Sequence, residues 1–211
     1  MQPLPNAKTE IVWDVFVRVF HWSVVAGFAV AYISEGEPLT LHTWAGYVIA
    51  ALVALRIVWG FIGPRYARFS DFVFPLGRVL SYLREELSFR AKRYIGHSPA
   101  GGAMVIALLA TLTLTTASGM SLLALSKGHG PLSSFITQAE NTSPRTSRAG
   151  EDEGENESPI VEAWEEIHET FANVCLVLVI LHVGGVVLAS IAHKENLPAA
   201  MIHGRKRSEE N

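Results

Sequence analysis

Eight histidines stand in the 211-residue sequence, and four of them occupy positions where an imidazole is costly. His21, His42 and His182 lie inside apolar runs of membrane length, and His168 sits at the mouth of the last run. An ionisable side chain in hydrocarbon marks a functional site by default. His168 and His182 are fourteen residues apart. That separation is nearly four helical turns, so both imidazoles leave one face, about 21 Å apart along the axis. Two ligands on one helix, one near each membrane surface, is the arrangement that a pair of stacked haems requires.

Other chemistries find little support. Cys175 is the single cysteine, which excludes an intramolecular disulfide and a cysteine-rich metal or iron–sulfur cage. No HExxH, CxxC, P-loop or GxSxG pattern points to hydrolysis or nucleotide binding. CxxCH is absent, so any haem is non-covalent and of b type. A balance of 17 Lys+Arg against 20 Asp+Glu excludes a globally basic nucleic-acid binder. His97 reads as an interfacial polar or capping residue, His129 as a solvated loop residue, and His193 and His203 as surface.

The elements that must carry these imidazoles are four apolar spans, at about 15–33, 41–63, 101–125 and 168–192. Residues 101–125 and 171–192 carry no charge at all, whereas span 2 holds Arg56 and span 1 holds Arg18. A hydrocarbon core of about 30 Å needs roughly 20 helical residues, so each run is long enough to cross. A soluble bundle of buried helices is the competing reading, and four spans of membrane length weigh against it. Arg18 and His21 within the first run argue for a retained span rather than a cleaved signal. The predicted fold is therefore an all-α membrane protein, a four-helix transmembrane bundle forming one domain over 1–211.

Charge orients it. Residues 64–97 carry seven Lys/Arg against three acids, while 126–167 carry three against nine. Positive-inside then predicts both termini and the 64–97 segment in the cytoplasm. Within that segment, 72–90 places Val79, Leu80, Leu83 and Leu87 on one helical face, which predicts a short interfacial helix. A loop with chance periodicity is the competing reading. The polar stretch 138–159 predicts a disordered acidic periplasmic insertion.

Depth selects partners among the histidines. Span 1 enters from the cytoplasm, which puts His21 in the inner half. Span 2 enters from outside, which puts His42 near the outer surface. Span 4 places His168 outermost and His182 deeper. Bis-histidine ligation needs imidazoles at matching depth, so the expected pairs are His42 with His168 and His21 with His182. Gly46, one turn beyond His42, permits close approach of a flat macrocycle, although Gly46, Gly27 and Gly184-Gly185 equally permit helix packing. Arg56 is a buried cation for which a haem propionate is a natural partner; snorkelling to the surface is the other explanation. Arg18 admits the same two readings.

Several segments carry a resemblance. FHW at 20–22, LHTWAGY at 41–47, RIVWGFIGPRYARFSDF at 56–72, GHSPAGGAMV at 96–105 and the span-4 histidine pair resemble the bacterial di-haem cytochrome b561 family. That family also supplies the cytochrome b anchor of nickel–iron hydrogenases. The likeness covers about 10–126 and 160–195, and the 138–159 insertion lies outside it. It implies a four-helix bundle with two b haems, electron transfer between quinone and a redox partner, and haem ligands at His21, His42, His168 and His182.

The functional expectation is a di-haem b-type cytochrome that moves electrons between the quinone pool and a periplasmic partner. A c-type cytochrome or a dehydrogenase or hydrogenase subunit is the expected partner, alongside membrane lipid. One alternative is an oxidoreductase that acts directly on a small species such as superoxide, with quinone as acceptor. Another is a non-redox transporter or assembly anchor with incidental histidines.

Overall fold

The computed structural model of the chain describes residues 9–35, 38–134 and 158–208. Of the predicted acidic insertion, all but its last two positions lies outside the described residues. The elements run in order from strand β1 (Thr9–Ile11) through helices α1 (Val15–Ile33) and α2 (Leu39–Ile62). A 3-10 turn (Arg65–Ala67) follows, then α3 (Phe69–Phe72), α4 (Leu76–Leu87) and α5 (Pro99–Lys127). Helix α6 (Pro159–Ala192), helix α7 (Leu197–His203) and strand β2 (Arg205–Arg207) complete the chain. Helices α1, α2, α5 and α6 are long and apolar enough to cross a membrane. The protein is an all-α multi-pass membrane bundle.

Local chemistry sets the helix ends. The Asp14 carboxylate accepts from Val17 N–H at 3.0 Å and starts α1. Ser98 accepts from Gly101 N–H at 3.1 Å and starts α5, with Pro99 at the first helical position, where its missing N–H costs nothing. So it is Ser98, not His97, that caps α5. Helix α6 begins nine residues before the predicted span, because Pro159 and Glu162 suit a helical first turn. At 34 residues it is about 51 Å long, so its acidic first turns project beyond a hydrocarbon core.

The 72–90 segment is helical from Leu76 only. Pro75 is its N-cap and separates α3 from α4. Val79, Tyr82 and Glu86 turn inward, while Leu76, Leu80, Leu83 and Leu87 form an exposed apolar stripe.

One end of the bundle is closed by a cap made from both ends of the described chain. Strand β1 pairs antiparallel with β2, with Glu10 opposite Lys206. Beneath them Val12, Trp13, Val17, Ala67 and Ala200 form a small core, flanked by Trp59, Tyr66, Ile95 and Met201. Gly204 carries φ +78° and brings its carbonyl to the N–H groups of Val12 and Trp13; a Cβ there would lie 2.5 Å from the Trp13 carbonyl oxygen. The cap also sequesters charge. Glu195, its side chain 7% exposed, meets Arg93 at 2.8 Å and Lys206 at 3.7 Å. Lys206 is itself buried and donates to the Tyr94 carbonyl at 3.0 Å.

Burial alone would raise the Glu195 carboxyl, but the Arg93 hydrogen bond and the Lys206 charge outweigh it and hold it below its ordinary value. A carboxyl depressed in this way contributes stability above its unfolded pKa and loses it as pH falls through the folded value. Glu195→Ala leaves the buried Lys206 and the partly exposed Arg93 without their carboxylate, at a cost on the order of 3 kcal/mol. The thermal midpoint of detergent-solubilised protein, followed by tryptophan fluorescence, will fall in the variant, and the gap from wild type will narrow in acid.

Candidate functional site

Helix α1 packs on α2, α5 on α6, and α2 on α5, whereas α1 and α6 do not pack closely on one another. The bundle thus has a seam, and the four span histidines meet across it. Seven residues is nearly two turns, so Cys175 sits on the same face of α6 midway between His168 and His182. Ile49 stands seven residues beyond His42 and Phe28 seven beyond His21. These three share one apolar cluster with Val53, Leu109 and Leu112. Cys175 is fully buried there. A packed apolar layer therefore separates two histidine levels.

At the first level the ring centres of His42 and His168 stand 6.0 Å apart. At the second, those of His21 and His182 stand 6.3 Å apart. No hydrogen bond joins either pair; the rings are set edge-on at 83° at the first level and tilted at 55° at the second. Two imidazoles bonded to one metal ion at about 2 Å each hold their ring centres roughly 6 Å apart. Among the described residues no three His, Cys, Asp or Glu converge, so a pair of imidazoles is the donor set each level offers.

Hydrogen bonds select the tautomers at the first level. His42 Nδ1–H donates to the Ala31 carbonyl at 2.9 Å. His168 Nδ1–H donates to the Thr115 carbonyl at 3.0 Å, with Ser118 Oγ 3.2 Å away. A carbonyl can only accept, so both rings keep the Nε2 lone pair free. The second level differs. His21 Nδ1 is sealed from solvent and has no hydrogen-bond partner among the described residues.

Arg56 is 3% exposed. It does not reach the surface: Nη2 donates to the Ala67 carbonyl at 3.2 Å, and the guanidinium lies 5.5 Å from the Phe69 ring centre. Its Nη1 is sealed and unpartnered among the described residues. Arg18, by contrast, spends Nη1 on the Ile202 carbonyl at 2.8 Å, tying α1 to α7. A Cβ added at Gly46, Gly184 or Gly185 would meet nothing within 4 Å, so none of these serves helix packing. At Gly27 it would meet Ile49 at 3.2 Å, which is a packing contact. Paired imidazoles, open glycine faces and a buried cation with a free N–H fit a flat, anionic, iron-bearing macrocycle.

Two contacts were not foreseen from sequence. Gly119 of α5 lies against the His168 ring, where a Cβ would stand 2.8 Å from Cε1. Ser118 and Thr115 on the same helix hold that ring's Nδ1. The Ser118-Gly119 pair in a charge-free helix was the available signal. His193 is not a surface residue: it caps α6, approaches the Glu86 carboxylate at 3.4 Å and lies 3.5 Å from the Tyr82 hydroxyl. His129 and His203 are exposed.

Comparison with known proteins agrees with this chemistry. The family model described as prokaryotic cytochrome b561 matches residues 12–204. The probable Ni/Fe-hydrogenase 1 B-type cytochrome subunits of Escherichia coli K12 and of Escherichia coli O157:H7 are each 30% identical over 131 residues. The match covers 48% of this chain and 55% of each relative, so it spans about half the length of the curated relatives. No solved structure matches. Gly119→Val will push the His168 ring off its position and lower the haem bound per polypeptide, read as pyridine haemochrome, while circular dichroism leaves helicity unchanged.

Proposed function

The chain belongs to the prokaryotic cytochrome b561 family, a b-type cytochrome family of electron transfer, and from that membership we propose a di-haem conductor spanning the bilayer. One b haem is held by His42 and His168, the other by His21 and His182. The observation that carries this is the pair of facing imidazole couples, each about one metal ion apart, stacked along a single seam. Bound haem supplies reversible one-electron chemistry at its iron. The protein's part would be to hold each iron with two imidazoles, which would favour electron transfer over oxygen activation. The layer of Phe28, Ile49 and Cys175 keeps water from the space between the levels.

Orientation follows from charge. The cap end carries Arg65, Arg68, Arg78, Arg84, Arg90, Lys92, Arg93, Arg205, Lys206 and Arg207, and faces the cytoplasm of a bacterial inner membrane. The His42–His168 level is then the outer one, with the acidic segment 138–159 on the periplasmic side. Residues 1–211 act as one cytochrome domain. The electron partners are membrane quinone and a periplasmic redox protein, a c-type cytochrome or an enzyme subunit. Similarity to a hydrogenase B-type cytochrome subunit supports an enzyme partner. Arg56 and Gly46 contribute to cofactor binding, Arg56 through charge and Gly46 through clearance.

Purified wild-type protein will carry two b haems by pyridine haemochrome, and His182→Ala will retain one. A variant with two full haems would overturn the ligand assignment. The two sites will also differ in potential. Both outer imidazoles donate Nδ1–H to carbonyls, which makes them stronger donors to ferric iron. The inner level lacks that bond at His21 and lies near Arg56. Potentiometric titration will resolve two components, and His42→Ala will remove the lower one.

A further inference from the structure

His97 precedes α5 at the cap end and is half-buried between two aromatic rings. The Trp13 ring centre lies 4.6 Å away and that of Phe72, itself fully buried, 4.4 Å away. Its Nδ1 is sealed from solvent and has no hydrogen-bond partner among the described residues. Burial, with Arg56, Lys206 and His182 nearby, pushes its pKa down to about 3, so the ring is neutral. Arg56 shows the same lack on the same side of the bundle: Nη1 is sealed and idle. Among the described residues no carboxylate pairs with Arg56. Asp14, the nearest acid to act on it, spends its oxygens on Val17 N–H and the Trp59 indole N–H. A buried cation and a buried neutral donor, both unsatisfied, ask for one anion between them.

We propose that Arg56 Nη1 and His97 Nδ1–H together clamp a carboxylate of the haem held at the His21–His182 level. His97 thereby becomes a cofactor-binding residue of the inner site. The inference rests on the reading of that level as a haem site. Phe69, Phe72 and Trp13 supply the apolar walls that make the two N–H groups count, since water cannot substitute for the anion there. Removing one donor leaves more negative charge beside the iron, which stabilises the ferric state.

Potentiometric titration of purified wild-type, His97→Phe and His97→Gln protein tests this. Phenylalanine keeps the aromatic sandwich and deletes the donor; glutamine restores an N–H. In His97→Phe one of the two b components will shift negative by a tenfold change in its ferric-to-ferrous ratio, about 59 mV for a one-electron couple. The other component stays, and His97→Gln recovers most of the shift. Two haems bound with both potentials unmoved in His97→Phe would sink the clamp alone. Fewer than two haems in wild type would sink the underlying site reading instead. A component whose potential moves with added inorganic phosphate would assign the clamp to a mobile anion, and so overturn it. A variant-free check is redox-difference infrared spectroscopy of wild-type protein carrying haem 13C-labelled at its carboxylates. One carboxylate band distinct from the rest supports the clamp, and a single common band refutes it.

Discussion

An imidazole in hydrocarbon has no water to satisfy it, so each ring needs a partner at both nitrogens or stays costly. That constraint shapes the seam between α6 and the α1–α2 pair. At the His42–His168 level the backbone takes one nitrogen of each ring, through Ala31 and Thr115, and leaves the other facing its counterpart. The helices cannot close over this gap by packing, so the bundle is held by α1 on α2, α5 on α6 and α2 on α5. The seam itself stays lined with imidazoles and small residues. Between the two levels the seven-residue step from each histidine brings Cys175, Ile49 and Phe28 into one apolar layer. Histidine spacing and core packing are thus the same helical periodicity used twice.

The two levels sit in unlike surroundings. One is fixed by main-chain carbonyls inside the bundle, and Gly119 lets α5 come against its ring. The other lies above a cap rich in aromatic rings and sequestered charge, where Arg56, His97, Lys206 and Glu195 are all wholly or partly withdrawn from water. Two like pairs of imidazoles are thereby given two electrostatic settings.

Much of this was legible in the residues. The four spans follow from length and hydropathy, and the same-face relation of His168 and His182 from a simple count along a helix. What the sequence could not display were relations between distant segments. His193 sits beside basic tail residues and reads as surface, yet Glu86 draws it inward, as Glu195 does Lys206. His97 looks like a capping residue beside Ser98, but Ser98 does that work and His97 stacks between Trp13 and Phe72. Gly119 is marked only by Ser118 beside it, which does not by itself distinguish it from a packing glycine. The break at Pro75 was visible as a residue, but the burial of Glu86 on the helix that follows was not.

The pairing of β1 with β2 has a bearing on how the molecule is built. Thr9 and Arg207 are joined across nearly the whole described chain, so the clasp can form only after all four spans have been synthesised and inserted. Closures of such sequence separation come late, because the intervening chain must first be ordered. Until then α1 is tied to α2 alone, and the side of the bundle facing α6 stays open. Among the described elements, strand β2 is the latch that closes this end of the bundle.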